Sequence, residues 1–227
     1  MQLFYSKEIE KFQTLNKEES KHCQKVLRKK KNDNIFVTDG LGNFYECKIK
    51  EEIKNELKVE ILNKKKIKKK PIIELAISFP KQRIRSEWII EKATEIGVSI
   101  ITPIICEKSE RIKINYDRMN KIAISSMKQS LRTYLPIISK MQKFSEFIKK
   151  SNLDQKFIAH CKYDSSKEKI KNNKKKSSCI LIGPEGDFSN KEIILAKKFQ
   201  FKTVTLNDNR LRTETAAIIA CNQLISL

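Results

Sequence analysis

The sequence predicts a mixed α/β protein in two unequal parts. A small β-rich module comes first, and a larger region of alternating strands and helices follows. Three observations carry this reading. Asn63–Pro71 (NKKKIKKKP) puts six lysines in nine residues, too much charge for a core, and Pro71 restarts an extended segment. Before this seam, short strand-like runs flank a glycine turn. After it, apolar runs alternate with segments of helical spacing, the pattern of a mostly parallel sheet. The seam sets the domain boundary between residues 1–70 and 71–227.

In the first part, Lys17–Leu27 reads as a short helix. Ile35–Asp39 and Phe44–Ile49 read as strands joined by a hairpin at Gly40-Leu41-Gly42-Asn43. Leu57–Leu62 alternates apolar and polar residues and gives a third strand. In the second part the expected order is strand Ile72–Phe79, helix Arg85–Ile96 ended by Gly97, strand Val98–Cys106 and helix Tyr116–Leu131. A short helix Phe144–Lys150 and strand Lys156–His160 come next. Lys162–Ser177 is lysine-rich and aperiodic, and is expected to be a mobile loop. Strand Ser178–Ile182, helix Lys191–Phe199, strand Thr203–Leu206 and helix Thr213–Ile225 complete the chain.

The 227 residues are 39% hydrophobic and 33% charged, enough apolar material for a core, so wholesale disorder is excluded. No run reaches the roughly 18 apolar residues of a membrane span. The N-terminus MQLFYSKEIEKF lacks a signal-type apolar stretch. The chain is therefore expected to be soluble and cytoplasmic, with no membrane partner. Its net charge of +21 divides as +8 on residues 1–70 and +13 on 71–227. Such an excess suits a nucleic acid partner. Lysine supplies 40 of the 48 cations, however, and a coding bias toward Lys, Ile and Asn explains the bulk charge equally well. The eight arginines say more, because a planar fork stands where lysine is the default. Six scattered cysteines without a CxxC pair and only two histidines argue against a metal site.

Three segments could carry chemistry. Ile182-Gly183-Pro184-Glu185-Gly186-Asp187-Phe188-Ser189 joins a buried strand to a helix, where ligands bind in open α/β sheets. Read alone, it is equally a strand–helix turn with Ser189 as N-cap, and it lacks the Gly-Lys-Ser/Thr ending of a phosphate loop. Leu206-Asn207-Asp208-Asn209-Arg210-Leu211-Arg212-Thr213-Glu214-Thr215-Ala216 repeats the arrangement, with Thr213 suited to the N-cap and Glu214 to the first turn. Capping leaves Arg212 unexplained. The third segment, Lys81-Gln82-Arg83-Ile84-Arg85-Ser86-Glu87-Trp88, puts cations where a helix begins, as phosphate contacts or as a solvated face.

Together these segments resemble the RsmE-type family of 16S ribosomal RNA methyltransferases, in the SPOUT superfamily of knotted methyltransferases. The resemblance extends to His22…Val26-Leu27-Arg28 and Asp39-Gly40-Leu41-Gly42, similar to that family's PUA-like module. It also takes in Lys81, Glu87–Ile90, Lys92–Glu95, Gly97-Val98, Glu107–Arg111 and Gln129–Arg132 with Pro136. Gly183–Gly186 and Leu211–Ala216 match its two cofactor loops. Asp187 departs from the family's second closing glycine, Asn207 from its glycine, and Asn209-Arg210 from its Arg-Ile pair.

The resemblance implies a fold, a cofactor and a reaction. The fold is a SPOUT domain with a deep trefoil knot behind a small PUA-like β-barrel. The cofactor is S-adenosylmethionine, held by His160, Ile182, Gly183, Pro184, Glu185, Gly186, Leu206, Leu211, Arg212 and Thr213, with no metal. The reaction is methylation of 16S rRNA at N3 of a decoding-region uridine, uridine 1498 of that RNA. Arg212 is the expected charge-stabilising residue, and Glu214 or Glu185 the base or the group that orients Arg212. RNA would be gripped by Arg28, Lys29, Lys30 and Lys31 on the first domain. Arg83, Arg85, Lys92, Arg111 and Arg132 would add to the grip on the second. A homodimer is expected, with the last helix and Gln129–Arg132 near the interface. Competing readings are a non-catalytic RNA-binding or assembly protein of this fold, a knotted methyltransferase for another nucleotide, and a nucleotide-binding α/β protein.

Overall fold

A computed structural model describes residues 1–226, with the side chains of 1–225. The chain forms two compact units. The first comprises Met1–Lys69 and Ile124–Leu135, and the second Lys70–Ala123 and Pro136–Leu227.

The first unit begins with β1 (Leu3–Tyr5), α1 (Ile9–Phe12), β2 (Thr14–Leu15) and α2 (Lys17–Lys21), and continues through β3 (Asn34–Thr38), β4 (Asn43–Ile53) and β5 (Glu56–Lys66). The sheet order is β1-β3-β4-β5-β2, with β1 parallel to β3 and the other pairs antiparallel. Alternation along β4 and β5 buries Tyr45, Cys47, Ile49, Leu57 and Val59 on Phe4, Ile9, Leu15, Ile35 and Val37. The single helix expected over Lys17–Leu27 is instead α2 followed by a π-helical turn, His22–Val26. Asn16 caps α2, its side chain accepting the Glu19 N–H at 2.9 Å.

Two differences concern the hairpin and the seam. β5 extends past Leu62 to Lys66, so half of the lysine seam is strand, paired with Asn43–Glu46. Backbone pairing does not require apolar side chains, and these lysines stay exposed. The turn between β4 and β5 is Lys54-Asn55, both left-handed at φ 52° and 67°, the two-residue geometry that matches strand twist.

Ile124–Leu135 docks on the glycine turn of this unit. The Gly42 N–H donates to Thr133 O (2.8 Å), and the Leu135 N–H donates to Gly40 O (2.9 Å). Leu41 forms an antiparallel bridge with Tyr134, and the Tyr134 hydroxyl donates to Ile67 O at 2.8 Å. Lys128 pairs with the buried Glu19. Gly42 sits at φ 95°, and a Cβ there would lie 2.1 Å from the Tyr134 ring. Buried Asp39 braces the turn by accepting from the N–H groups of Leu41 (2.8 Å) and Asn43 (3.2 Å) and from the Tyr45 hydroxyl (3.2 Å).

The chain continues through β6 (Ile73–Ile77), α3 (Arg83–Ile96), β7 (Ile100–Ile105), α4 (Tyr116–Gln129), β8 (Ile137–Ile138), β9 (Gln142–Lys143) and α5 (Phe144–Lys150), all in the second unit except α4 from Ile124 onward. It ends with β10 (Gln155–Ala159), β11 (Glu168–Lys169), β12 (Ser178–Ile182), α6 (Asn190–Lys198), β13 (Lys202–Thr205) and α7 (Thr213–Ser226). The parallel sheet runs β11-β13-β10-β12-β6-β7-β8, with β9 also pairing with β7. All five residues of β12 are buried, as its unbroken apolar run requires. Gly97 closes α3 at φ 99°, the left-handed cap that favours glycine. Ser189 and Glu192 form a reciprocal capping box on α6. Thr213 is the first residue of α7 rather than its cap, because the Ala216 N–H donates to Arg212 O (2.8 Å).

The 162–177 segment, expected to be a mobile loop, is tied down. β11 pairs within it to Val204 and Thr205. The Asp164 carboxylate accepts from Ser166 N (2.9 Å) and Oγ (2.6 Å) and pairs with Lys197 (2.7 Å). Those contacts hold its carboxyl far below the usual carboxylate range, the Lys197 ammonium contributing most. Among the described residues, no helix is long and apolar enough to cross a membrane.

Candidate cofactor pocket

The second unit holds a cavity of about 660 Å³ at the carboxyl ends of β10, β12 and β13, the place where open parallel sheets bind ligands. One wall is Ala159, His160 and Cys161. A second is Ile182–Glu185 with Asp187. The third is Val204–Thr213, and Arg85 of α3, Lys167 and Ala216 complete the lining. Of the expected cofactor residues, His160, Ile182, Gly183, Pro184, Glu185, Leu206, Leu211, Arg212 and Thr213 meet here. Gly186 does not. It is exposed, and its carbonyl accepts from Lys108 Nζ at 2.8 Å. A Cβ on Gly186 would meet the Lys108 chain at 3.0 Å, so its glycine serves close approach rather than positive φ. Gly183 likewise lies against the Phe188 ring, 3.1 Å from where a Cβ would stand.

His160 has a side chain only 1% exposed, and neither ring nitrogen has a hydrogen-bond partner among the described residues. Burial lowers its pKa, with the Lys167 cation adding to the shift, so the imidazole is neutral at pH 7. The Lys167 ammonium donates to His160 O (2.7 Å) and Lys162 O (2.6 Å). His160 Nε2 lies 3.6 Å from Asp164 Oδ2, so a carboxylate of the 162–177 segment neighbours the buried ring.

Glu214 is not on the lining. Its Oε1 pairs with Arg85 Nε at 3.5 Å, while Oε2 is buried without a partner among the described residues. Arg85, expected on RNA, thus lies in the pocket and holds a carboxylate. Arg212 is exposed on the rim, and no hydrogen bond or ion pair among the described residues engages its guanidinium.

The other expected RNA contacts divide by partner. Arg28, Lys29, Lys30 and Lys31 sit in the first unit on a turn in which Asp33 accepts the Lys30 N–H (2.9 Å), and none forms an ion pair among the described residues. Arg83 pairs with Glu87 (3.3 Å), and Lys92 with Glu91 (2.8 Å) and Glu95 (2.9 Å). Arg111 donates to Pro80 O (2.9 Å) and Lys81 O, so it braces a turn. Arg132 belongs to the first unit rather than the larger one, and burial lowers its pKa. The sequence reading missed Cys161 and Lys167 as lining residues. Asp187 carried a signal, since it stands where the resembled family has glycine.

The RNA methyltransferase domain model matches residues 68–225, and the RNA methyltransferase PUA domain model matches residues 15–62. Ribosomal RNA small subunit methyltransferase E of Aquifex aeolicus is 33% identical over 96% of this chain and 96% of its own. A crystal structure of a probable rRNA-methyltransferase from Porphyromonas gingivalis superposes with TM-score 0.90 at 34% identity, covering 98% of this chain and 96% of that one. The chain belongs to the ribosomal RNA small subunit methyltransferase E family. The Neisseria gonorrhoeae member, bound to S-adenosyl methionine, superposes with TM-score 0.83 at 28% identity over 98% of this chain and 97% of that one. The protein is an RNA methyltransferase, and its cofactor is S-adenosylmethionine.

The geometry resolves two departures from the motif of this methyltransferase family. Asp187 adopts φ 61°, a left-handed conformation that glycine takes most readily. Its side chain adds what glycine cannot, because Oδ1 accepts the Phe188 N–H (2.8 Å) and Oδ2 accepts the Cys161 N–H (3.0 Å). Asn207 is not left-handed, so its backbone does not call for glycine. Its Oδ1 accepts the Asn209 N–H at 3.2 Å in a local turn.

Proposed function

We propose that this methyltransferase acts on N3 of uridine 1498 of 16S rRNA, giving 3-methyluridine during small-subunit maturation. The observation that carries the reading is Arg212, an unpaired guanidinium on the rim of the strand-end pocket. The family and the small-subunit names of its relatives support the RNA class. S-adenosylmethionine supplies an activated methyl group when bound. Uridine N3 carries a proton at neutral pH, so the protein must favour its loss. Arg212 stabilises the negative charge that spreads to the flanking carbonyl oxygens. Arg85 holds Glu214 through one oxygen behind the lining, so Glu214 serves to orient the arginines of the site, and Glu185, which is on the lining, is the residue to accept the N3 proton.

His160, Ile182, Gly183, Pro184, Glu185, Leu206, Leu211 and Thr213 hold the cofactor largely through main-chain groups. The 1–70 domain, closed as a PUA-like barrel, grips RNA through Arg28, Lys29, Lys30 and Lys31. The 71–227 domain carries the trefoil knot and works as a cytoplasmic homodimer.

The test is transfer of labelled methyl from S-adenosylmethionine to small-subunit particles, with the modified nucleotide mapped. Methylation at N3 of uridine 1498 is expected. Arg212→Ala should cut kcat by roughly 10²–10³-fold while the protein still binds the cofactor. A methyl group on another nucleotide overturns the substrate assignment, and unchanged turnover in Arg212→Ala removes that residue from the chemistry.

A further inference from the structure

Tyr163 lies in the turn between two residues of the pocket lining, Cys161 and Lys167. Its side chain is 96% exposed, more than any other large hydrophobic side chain among the described residues. The turn beneath it is fixed on both sides. Lys162 Nζ donates to Asn190 Oδ1 at 2.6 Å, and Lys167 Nζ donates to Lys162 O and His160 O. The Lys167 N–H donates to Asp164 O at 3.2 Å, and Asp164 is itself held by Ser166 and Lys197. The Lys167 ammonium is thus engaged within the turn and the Lys162 ammonium on Asn190 of α6, and no cation covers the ring among the described residues.

An aromatic ring ordinarily gains by burial. Here an anchored turn holds one in water, in the chain segment between the lining residues Cys161 and Lys167. When an RNA enzyme draws a nucleotide out of its stack, the neighbouring nucleotides are left with bare faces. A planar ring held in water on that segment can restore one such contact, for any base, because every base presents a π face.

We propose that Tyr163 is a base-stacking residue that takes the face of an RNA nucleotide adjacent to the one entering the pocket. This rests on the reading of the substrate as RNA. The test compares the full-length protein with Tyr163→Ala and Tyr163→Phe on small-subunit particles lacking the methyl group. Particle binding, methyl transfer, calorimetric binding of S-adenosylmethionine and solution mass are all measured.

Tyr163→Ala should weaken particle binding and raise KM for the particle roughly 5- to 150-fold. Cofactor affinity and solution mass should not change. Tyr163→Phe should stay within about twofold of the parent, since the ring does the stacking. Equal particle binding by the parent and Tyr163→Ala overturns the proposal. Equal damage by Tyr163→Phe also overturns it, because the hydroxyl would then be the contact. A changed solution mass in Tyr163→Ala overturns it in favour of a second copy covering the ring. Absence of methyl transfer by the parent protein counts against the RNA reaction, whereas particle binding still decides the stack.

Discussion

Asp187 Oδ2 accepts the Cys161 N–H at 3.0 Å, joining the loop after β12 to the end of β10. Its other oxygen accepts the Phe188 N–H at 2.8 Å, so one carboxylate fastens two walls of the cofactor pocket. Hydrogen bonds to charged groups contribute about 1.5–3 kcal/mol each. Asp187→Ala should weaken S-adenosylmethionine binding about 10-fold by calorimetry. Asp187→Asn, which keeps an acceptor and tolerates the left-handed backbone, should stay within about 3-fold. Equal affinity in all three proteins would show that the tie does not shape the pocket.

Two glycines make opposite predictions. A Cβ at Gly42 would stand 2.1 Å from the Tyr134 ring, on a backbone at φ 95°. Gly42→Ala should therefore lower unfolding stability by about 3 kcal/mol, from strain and overpacking together. At Gly186 the obstacle is the flexible Lys108 chain at 3.0 Å, and φ is not positive. Gly186→Ala should cost under about 1 kcal/mol. Denaturant unfolding of the two variants checks the ordering.

Cys161 should be the one thiol that reacts in the native protein. The other five cysteines are buried. Burial pushes Cys23 up to about 11 and Cys47 and Cys221 up to about 12, and raises Cys106 and Cys179 well above the usual thiol value. Cys161 is exposed on the pocket lining. A thiol reagent should label one site per chain, and saturating S-adenosylmethionine should slow that labelling. Rapid reaction at a second cysteine, or no protection by the cofactor, contradicts this.

His160 should make stability depend on pH. Its folded pKa lies below the unfolded value of about 6.5. Between those values the unfolded chain binds more protons, so stability rises with pH. The contribution is complete above about pH 6.5 and is lost as pH falls through the folded value. The melting temperature should therefore drop between pH 7 and 5 more steeply in the parent than in His160→Gln. Parallel curves would remove His160 as the cause.

Much of the fold is legible in local chemistry. The Gly40–Asn43 turn, the apolar run of β12, Gly97 and the Ser189 cap each act through neighbours in sequence, and each stands where expected. The Lys54-Asn55 turn was hidden because it reaches left-handed geometry without glycine. The strand character of Lys64–Lys66 was hidden because lysine signals exposure rather than backbone pairing. At the pocket, the Gly183 loop and Arg212 announced themselves. Arg85 did not, because its partner Glu214 is remote in sequence and the pairing exists only once α3 and α7 pack together. Order in the 162–177 segment depends likewise on Lys197, a residue of another element.

The first unit draws Ile124–Leu135 from beyond the start of the second. Its glycine turn receives Thr133 and Leu135 as backbone partners. On the ribosome, Met1–Lys69 therefore emerges long before the unit can be completed. At roughly 5–20 residues per second, the nascent chain waits several seconds with Gly40 O and the Gly42 N–H unpaired. Formation of this unit closes a long loop of chain, an entropic cost that falls late in synthesis. A ribosome stalled soon after Lys69 would thus display an unfinished N-terminal unit, and native protection of that unit should appear only once Leu135 has cleared the exit tunnel.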